Sequence, residues 1–235
     1  MCDLEQWIKD HCWSNADFIH GEIRAVAVWF CGLGSGFRNS ASDMDLALAE
    51  SGVLVISPYY GPWSWMNRLA RQLVDELLEK VFEFYQLKDD TPLISSGWSM
   101  GGLASLLYCR YGKRRPAGCC VLFPVCDLPF HFREREDVPP TVCYAFYGYD
   151  EPFESVLEEH SPLHQADAMP DIPYLFFHGD ADAAVNKSHS DKMTSALRKL
   201  QRSVQYVEVP GMGHVVNTPL SVKQQAVEFM AGFAK

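Results

Sequence analysis

The chain reads as a three-layer α/β sandwich with a mostly parallel central sheet. Three observations predict it. Short apolar runs alternate with amphipathic helical stretches along most of the sequence, the order that builds a parallel sheet covered by helices. The apolar runs are continuous rather than alternating, as fits strands buried on both faces. A serine flanked by glycines, in Gly97-Trp98-Ser99-Met100-Gly101-Gly102, stands between one such run and one such helix. Open sheets of this kind bind ligands outside the carboxyl ends of their strands.

At 235 residues, residues 1–235 form a single domain, and an apolar share of 48% suffices for a large core. No run of 18 apolar residues is present, so no membrane span is expected. The start, Met1-Cys2-Asp3-Leu4-Glu5, is acidic and polar, unlike a secretory signal. A net charge of −10 argues against a nucleic-acid or anionic-membrane partner. The eight cysteines form no C-x-x-C pair, and several sit in apolar runs such as Gly118-Cys119-Cys120-Val121-Leu122-Phe123. Buried free thiols act as small hydrophobes, so a reduced, cytoplasmic protein is expected. Histidines and cysteines are scattered rather than clustered, and no metal is expected.

Taken in order, residues 1–22 are mixed and aromatic, and are expected to give a short strand or arm at the sheet edge. Residues 23–31 are a strand that opens into the glycine loop Gly32-Leu33-Gly34-Ser35-Gly36. Residues 42–50 are a short helix with Asp43 and Asp45 in its first turn, the end that favours acids, closed by Gly52. Residues 53–57 are a strand stopped by Pro58, and an aromatic loop follows at 58–65. A long helix is expected from Met66 to about Leu87, with apolar residues recurring at Leu69, Leu73, Leu77, Leu78, Val81 and Phe84. Residues 92–96 form the strand before Ser99, residues 103–109 a helix after it, and residues 117–125 a further strand. Residues 126–171, rich in proline and charge, are expected to be irregular. Strands at 172–178 and 204–209 and helices at 187–200 and 219–233 complete the chain.

The turn around Ser99 requires a strained serine backbone, and side chains two residues before and two after it would collide. Gly97 and Gly101 remove them. The serine oxygen is then held above the sheet, over a helix N-terminus whose free N–H groups suit an oxyanion. A serine needs a general base and an orienting acid. Asp182 and His214 follow two later strands, so the order along the chain is serine, acid, histidine. Ser99 is the candidate nucleophile, His214 the base and Asp182 the acid. Asp180 and Asp127 compete for the acid role. His178 reads as a framework residue and His189 as a solvated one. His131, His160 and His164 precede the acid, the wrong order. The oxyanion site needs two donors, expected from Met100 and from Gly32 or Leu33, with Leu33 favoured. The glycine loop is not a dinucleotide site, because Ile56-Ser57-Pro58 supplies no acid for a ribose, and no Gly-Lys-Ser/Thr of a P-loop follows.

With these residues in place, the chain resembles the α/β-hydrolase superfamily over roughly residues 23–234, within it the prolyl-oligopeptidase-like and dienelactone-hydrolase-like serine hydrolases. The likeness rests on Gly97 to Gly102, on His178-Gly179-Asp180-Ala181-Asp182-Ala183-Ala184-Val185, on Gly211-Met212-Gly213-His214 and on Ser161-Pro162-Leu163 ahead of Ile172-Pro173. The family's H-G-x-x-D-x-x-V pattern puts the acid on Asp182 rather than Asp180. The resemblance implies an α/β-hydrolase fold with a mostly parallel central sheet and a small cap insertion at 126–171, and no cofactor. Many relatives carry His-Gly-Gly where this chain has Cys31-Gly32-Leu33; some use a tyrosine hydroxyl as second donor, for which Tyr59 or Tyr60 is available. Oligopeptidases carry a large β-propeller, for which 235 residues leave no room, and dienelactone hydrolases use a cysteine at the elbow. The expected activity is therefore hydrolysis of small carboxylic esters, with a peptidase or aminoacyl-ester hydrolase as first alternative and a non-catalytic binding protein as second. Tyr59, Tyr60, Trp63 and Trp98 are the candidate substrate-binding residues. The expected partner is a small ester, with a homodimer admitted.

Overall fold

The computed structural model describes residues 2–214 and 218–235, with side chains described from Leu4 onward. Its centre is a seven-stranded sheet: β1 (Cys12–Ser14), β2 (Ala25–Phe30), β3 (Val53–Pro58), β4 (Leu93–Trp98), β5 (Gly118–Leu122), β6 (Tyr174–Gly179) and β7 (Val204–Val209). The spatial order is β1-β3-β2-β4-β5-β6-β7. Only β1 runs antiparallel, pairing Trp13 with Ser57. The chain leaves β2 toward β3, then crosses back over β2 to β4. The carboxyl ends of β2 and β4 therefore flank the topological switch point, where such sheets open a crevice.

Strand residues point alternately to the two faces. Val26, Val28 and Phe30 of β2 pack with helices α1 (Cys2–His11), α3 (Arg68–Phe84) and α4 (Met100–Tyr111). Ala25 and Ala27 pack on the other face with α2 (Asp43–Glu50) and α9 (Leu220–Ala231). In β5 and β6, Cys119, Val121, Tyr174 and Phe176 meet α4 and α8 (Ser188–Lys199), whereas Cys120, Leu122, Leu175 and Phe177 face α9. Both faces are covered, which is why the strands carry continuous apolar runs.

Two expectations are corrected. Residues 126–171 are largely helical: α5 (Leu128–Glu134), α6 (Val138–Ala145), α7 (Phe153–Glu159) and a 3₁₀ segment Pro162–Ala168. The prolines that read as breakers occupy first turns or caps, as Pro129, Pro139 and Pro162 do. A missing N–H costs nothing there. The long helix begins at Arg68 rather than Met66, because Trp65 and Met66 both take positive φ and Asn67 caps the helix through Ala70 N–H. Of the stretch 1–22, expected to give a short strand or arm at the sheet edge, Cys12–Ser14 is the edge strand β1 and Cys2–His11 ahead of it forms the helix α1. Among the described residues no helix is long and apolar enough to cross a membrane, and the seven cysteines whose side chains are described are free thiols.

Beyond the β1–β3 pairing, a buried side chain ties the edge arm to the body. Asn15 donates to the carbonyls of Asp45 and Val53 (2.9 and 3.1 Å) and accepts from the Val55 N–H at 2.8 Å. Asn15→Ala leaves that N–H unpaired in the core and is expected to cost roughly 2–4 kcal/mol in urea unfolding. Asn15→Asp sets a carboxylate against two carbonyl oxygens and should cost at least as much. A loss below about 0.5 kcal/mol in both would mean the arm does not stabilise the sheet.

Candidate active site

The elbow is built by close backbone approach. Ser99 takes φ 57° and ψ −124° between β4 and α4, a conformation costing about 1–3 kcal/mol for a non-glycine residue. Its N–H donates to Leu122 O, and its carbonyl accepts from Leu103 N–H and Val125 N–H. The elbow is thus tied to its own helix and to the end of β5. A Cβ on Gly101 would stand 2.0 Å from the Phe30 carbonyl oxygen, and one on Gly97 would stand 2.4 Å from the Gly101 oxygen. Glycine is required at both positions because the turn presses on the end of β2.

His214 Nε2 lies 3.0 Å from Ser99 Oγ, and His214 Nδ1 lies 2.7 Å from Asp182 Oδ2. The other oxygen of Asp182 accepts the N–H groups of Ala184 and Val185, both at 2.9 Å. Burial pushes the Asp182 carboxyl up. The His214 hydrogen bond and the two backbone donors outweigh it and hold the group below its ordinary value. An ionised Asp182 selects the tautomer with the proton on Nδ1, leaving Nε2 to accept from Ser99. Phe123 packs edge-on against the His214 ring at 4.7 Å. It is held at φ 37° with its N–H on Phe177 O.

The three side chains proposed from the sequence therefore meet in one hydrogen-bonded chain. Asp180 does not join them; it accepts the Gly211 N–H at 2.6 Å and braces the histidine loop. Asp127 caps α5 through the Phe130 N–H. His178 is a buried framework residue, with Nδ1 on Ser190 Oγ and Nε2 on Val185 O, and burial lowers its pKa. His189 is not solvated: it is fully buried, its Nδ1 faced by the N–H groups of Cys126 and Asp127. Periodicity places a helix start there, but the cap that covers it comes from residues 126–134, which read as irregular.

The Met100 N–H sits in the first turn of α4, and the Leu33 N–H sits in the loop after β2. Among the described residues neither has a hydrogen-bond partner. That loop is pinned by the Gly34 N–H on Pro62 O and by the Tyr60 hydroxyl, which donates to Cys31 O at 2.6 Å. Tyr60 is accordingly not an oxyanion donor, since its hydroxyl proton is committed to that carbonyl; it positions the loop. Tyr59 and Trp63 are exposed, Trp63 edge-on to Tyr144 at 5.9 Å. Trp98 is half-buried beneath the elbow, its ring against Gly32 and edge-on to Phe123. Phe123 falls inside the strand expected at 117–125, whereas β5 ends at Leu122, so nothing in the sequence marks it out. Its role follows only from the turn it makes.

The chain matches the model of the prolyl oligopeptidase family over residues 65–235. No curated protein matches it. Among solved structures it is similar to a puromycin-hydrolyzing peptidase of Mycobacterium tuberculosis, at TM-score 0.74 and 20% identity over 92% of this chain and 34% of that one. The chain thus spans about a third of that protein's length. It is also similar to esterase B of Lactobacillus rhamnosis (TM-score 0.73, 15% identity, 92% of this chain and 76% of that one). A lipase in its open form gives TM-score 0.67 at 16% identity, over 95% of this chain and 93% of that one. At these identities the likenesses establish the shared fold.

The elbow's packing predicts a contrast. Gly101→Ala must displace the end of β2 and is expected to cost roughly 3 kcal/mol or more, or to prevent folding. Gly213→Ala, whose Cβ would meet nothing nearer than Ala181 O at 3.8 Å, should stay within about 1 kcal/mol of the parent. Equal losses measured by thermal and urea unfolding would contradict the contact.

Proposed function

The chain belongs to the prolyl oligopeptidase family of serine hydrolases, and we propose that it hydrolyses small carboxylic esters through an acyl-enzyme on Ser99. The observation that carries this is the hydrogen-bonded run from Ser99 Oγ through His214 to Asp182. His214 takes the serine proton as Oγ attacks the ester carbon, and returns it to the departing alcohol. Water, deprotonated by the same imidazole, then releases the acid. Asp182 keeps the ring oriented and stabilises its cationic form. The N–H groups of Met100 and Leu33 receive the developing oxyanion. Gly32, beside Leu33, supplies the loop's close fit against Trp98.

The ester reading is supported by a groove whose Tyr60 and Pro62 hold the loop that carries Leu33, through Cys31 O and the Gly34 N–H. It has a volume of about 450 Å³ and is lined by Tyr59, Tyr60, Trp63, Leu69 and Tyr144 among others, with no charged side chain. An uncharged acyl or alcohol group suits such a surface, whereas a peptide terminus calls for a charged partner. Cleavage of an aminoacyl or peptide bond by the same three groups is the competing activity.

A panel of p-nitrophenyl esters and aminoacyl-p-nitroanilides decides between them. Short-chain esters are expected to turn over faster than any anilide, and the reverse order would make the protein a peptidase. Ser99→Ala should lose about 10⁴-fold or more in kcat, and Asp182→Asn about 10³–10⁴-fold. Asp127→Asn should stay within about threefold of the parent, as for a helix cap remote from the chemistry. Activity surviving Ser99→Ala would end the proposed mechanism.

A further inference from the structure

The cap reaches the acid loop through one carboxylate. Glu134 ends α5, and its Oε1 accepts the Asn186 N–H at 2.8 Å. Its Oε2 lies 2.7 Å from His131 Nδ1 and 3.1 Å from His189 Nε2. The proton on His189 can be placed. Its Nδ1 faces two backbone donors, Cys126 N–H and Asp127 N–H, at 3.2 and 3.0 Å. That nitrogen accepts, so the proton is on Nε2 and is donated to Glu134. Burial pushes the Glu134 carboxyl up, but the His131 and His189 hydrogen bonds hold it far below the carboxylate range. Burial also lowers the pKa of His131. The cluster is an anion held by neutral imidazoles.

The same three side chains offer ligand atoms within 4.8 Å of one another, a spacing a metal ion would accept. A metal on His189 Nε2 would require that nitrogen to give up its proton while two donors still face Nδ1, which makes the ring an imidazolate. The hydrogen-bond pattern therefore favours a brace over a metal centre.

We propose that Glu134 is a positioning residue for the acid arm of the Ser99–His214–Asp182 chain, coupling the cap to catalysis. The proposal rests on the catalytic reading of those three residues. Three consecutive N–H groups are divided between two carboxylates: Ala184 and Val185 donate to Asp182, and Asn186 donates to Glu134. The Val185 carbonyl between them is taken by His178 Nε2. The loop that orients Asp182 is thus held from inside by its own acid and from outside by the cap. Releasing the outer hold frees Val185 and Asn186 to turn, and the Asp182 carboxylate turns with the N–H groups it grips. Asp182 then holds His214 less firmly. The charged or titratable groups facing His214 are Asp182 and, behind it, His178 at 3.6 Å from Asp182 Oδ2. Those facing Glu134 are His131 and His189.

Glu134→Gln keeps the shape but offers a single accepting oxygen to three donors, so the brace opens. With p-nitrophenyl acetate, kcat is expected to fall roughly ten- to a hundredfold with KM within about twofold, the signature of displaced catalytic groups rather than lost binding. The acid limb of kcat/KM should move to lower pH, because a loosened Asp182 supports the His214 imidazolium less. Glu134→Asp keeps the charge and the histidine pair but withdraws from Asn186. It should fold and show a smaller loss of kcat in the same direction. If both variants lower only the melting temperature, leaving kcat and the acid limb in place, Glu134 serves the fold alone and the proposal fails. Stoichiometric zinc in the purified protein, lost with activity in Glu134→Gln, would replace it with a metal centre. Ser99→Ala in the same assay separates failure of this proposal from failure of the nucleophile assignment.

Discussion

The close approach of the elbow to the end of β2 is the constraint on which the site depends. The Phe30 carbonyl lies where a side chain at Gly101 would be, so β2, β4 and α4 meet with only backbone between them. That contact puts the loop carrying Leu33 and the first turn of α4 side by side. The loop after β2 and the first turn of α4, which follow strands adjacent in the sheet but separated by a crossover, thereby meet beside a strained serine. For the donors proposed there, the N–H groups of Met100 and Leu33, rigidity is what matters, since donors that must reorganise during reaction forfeit much of their electrostatic advantage. The Tyr60 hydroxyl on Cys31 O and the Gly34 N–H on Pro62 O supply that rigidity from β3's side of the switch point.

His214 and Asp182 are held differently from Ser99. Ser99 sits on a regular strand and helix, but His214 and Asp182 sit on loops after β7 and β6, where backbone hydrogen bonds are not supplied by the ladder. The loops supply their own. Asp180 takes the Gly211 N–H, Asp182 takes Ala184 and Val185, and Met212 O accepts the Ala181 N–H. The two loops are thus laced to each other, and Asp182, whose Oδ2 meets His214 Nδ1, also folds its own loop.

How much of this was legible in the sequence follows from the range of the interactions. The strands and most helices read correctly because continuous or periodic burial is a local signal. Ser99, Asp182 and His214 could be singled out, and do come together in the fold, because glycines and a loop acid must sit at fixed offsets from strand ends. The prolines of residues 126–171 misled because proline excludes helix interiors but favours helix starts, and the two look alike until the following residues are seen packed. His189 misled because its burial is provided by α5 and the turn before it, some sixty positions earlier. Tyr60 was legible as a tyrosine near the site, yet the direction of its hydroxyl depends on the Cys31 carbonyl across the sheet.

The helical cap also changes what residues 126–171 can do. An irregular segment would leave its backbone polar groups to water and would be free to move over the site. Here α5 is capped by Asp127, and α7 ends at a buried His160, whose proton-bearing Nδ1 is tied to Val156 O. Arg68 and Arg71 of α3 both reach Glu159. His160 accordingly stays neutral, pushed down to about 4 by its burial, and adds no like charge beside the two arginines. Residues 126–171 are thus bound to the body through α3 on one side and the Asp182 loop on the other. Elements held in this way pass small displacements on to their neighbours, because packed interiors transmit a shift rather than absorb it.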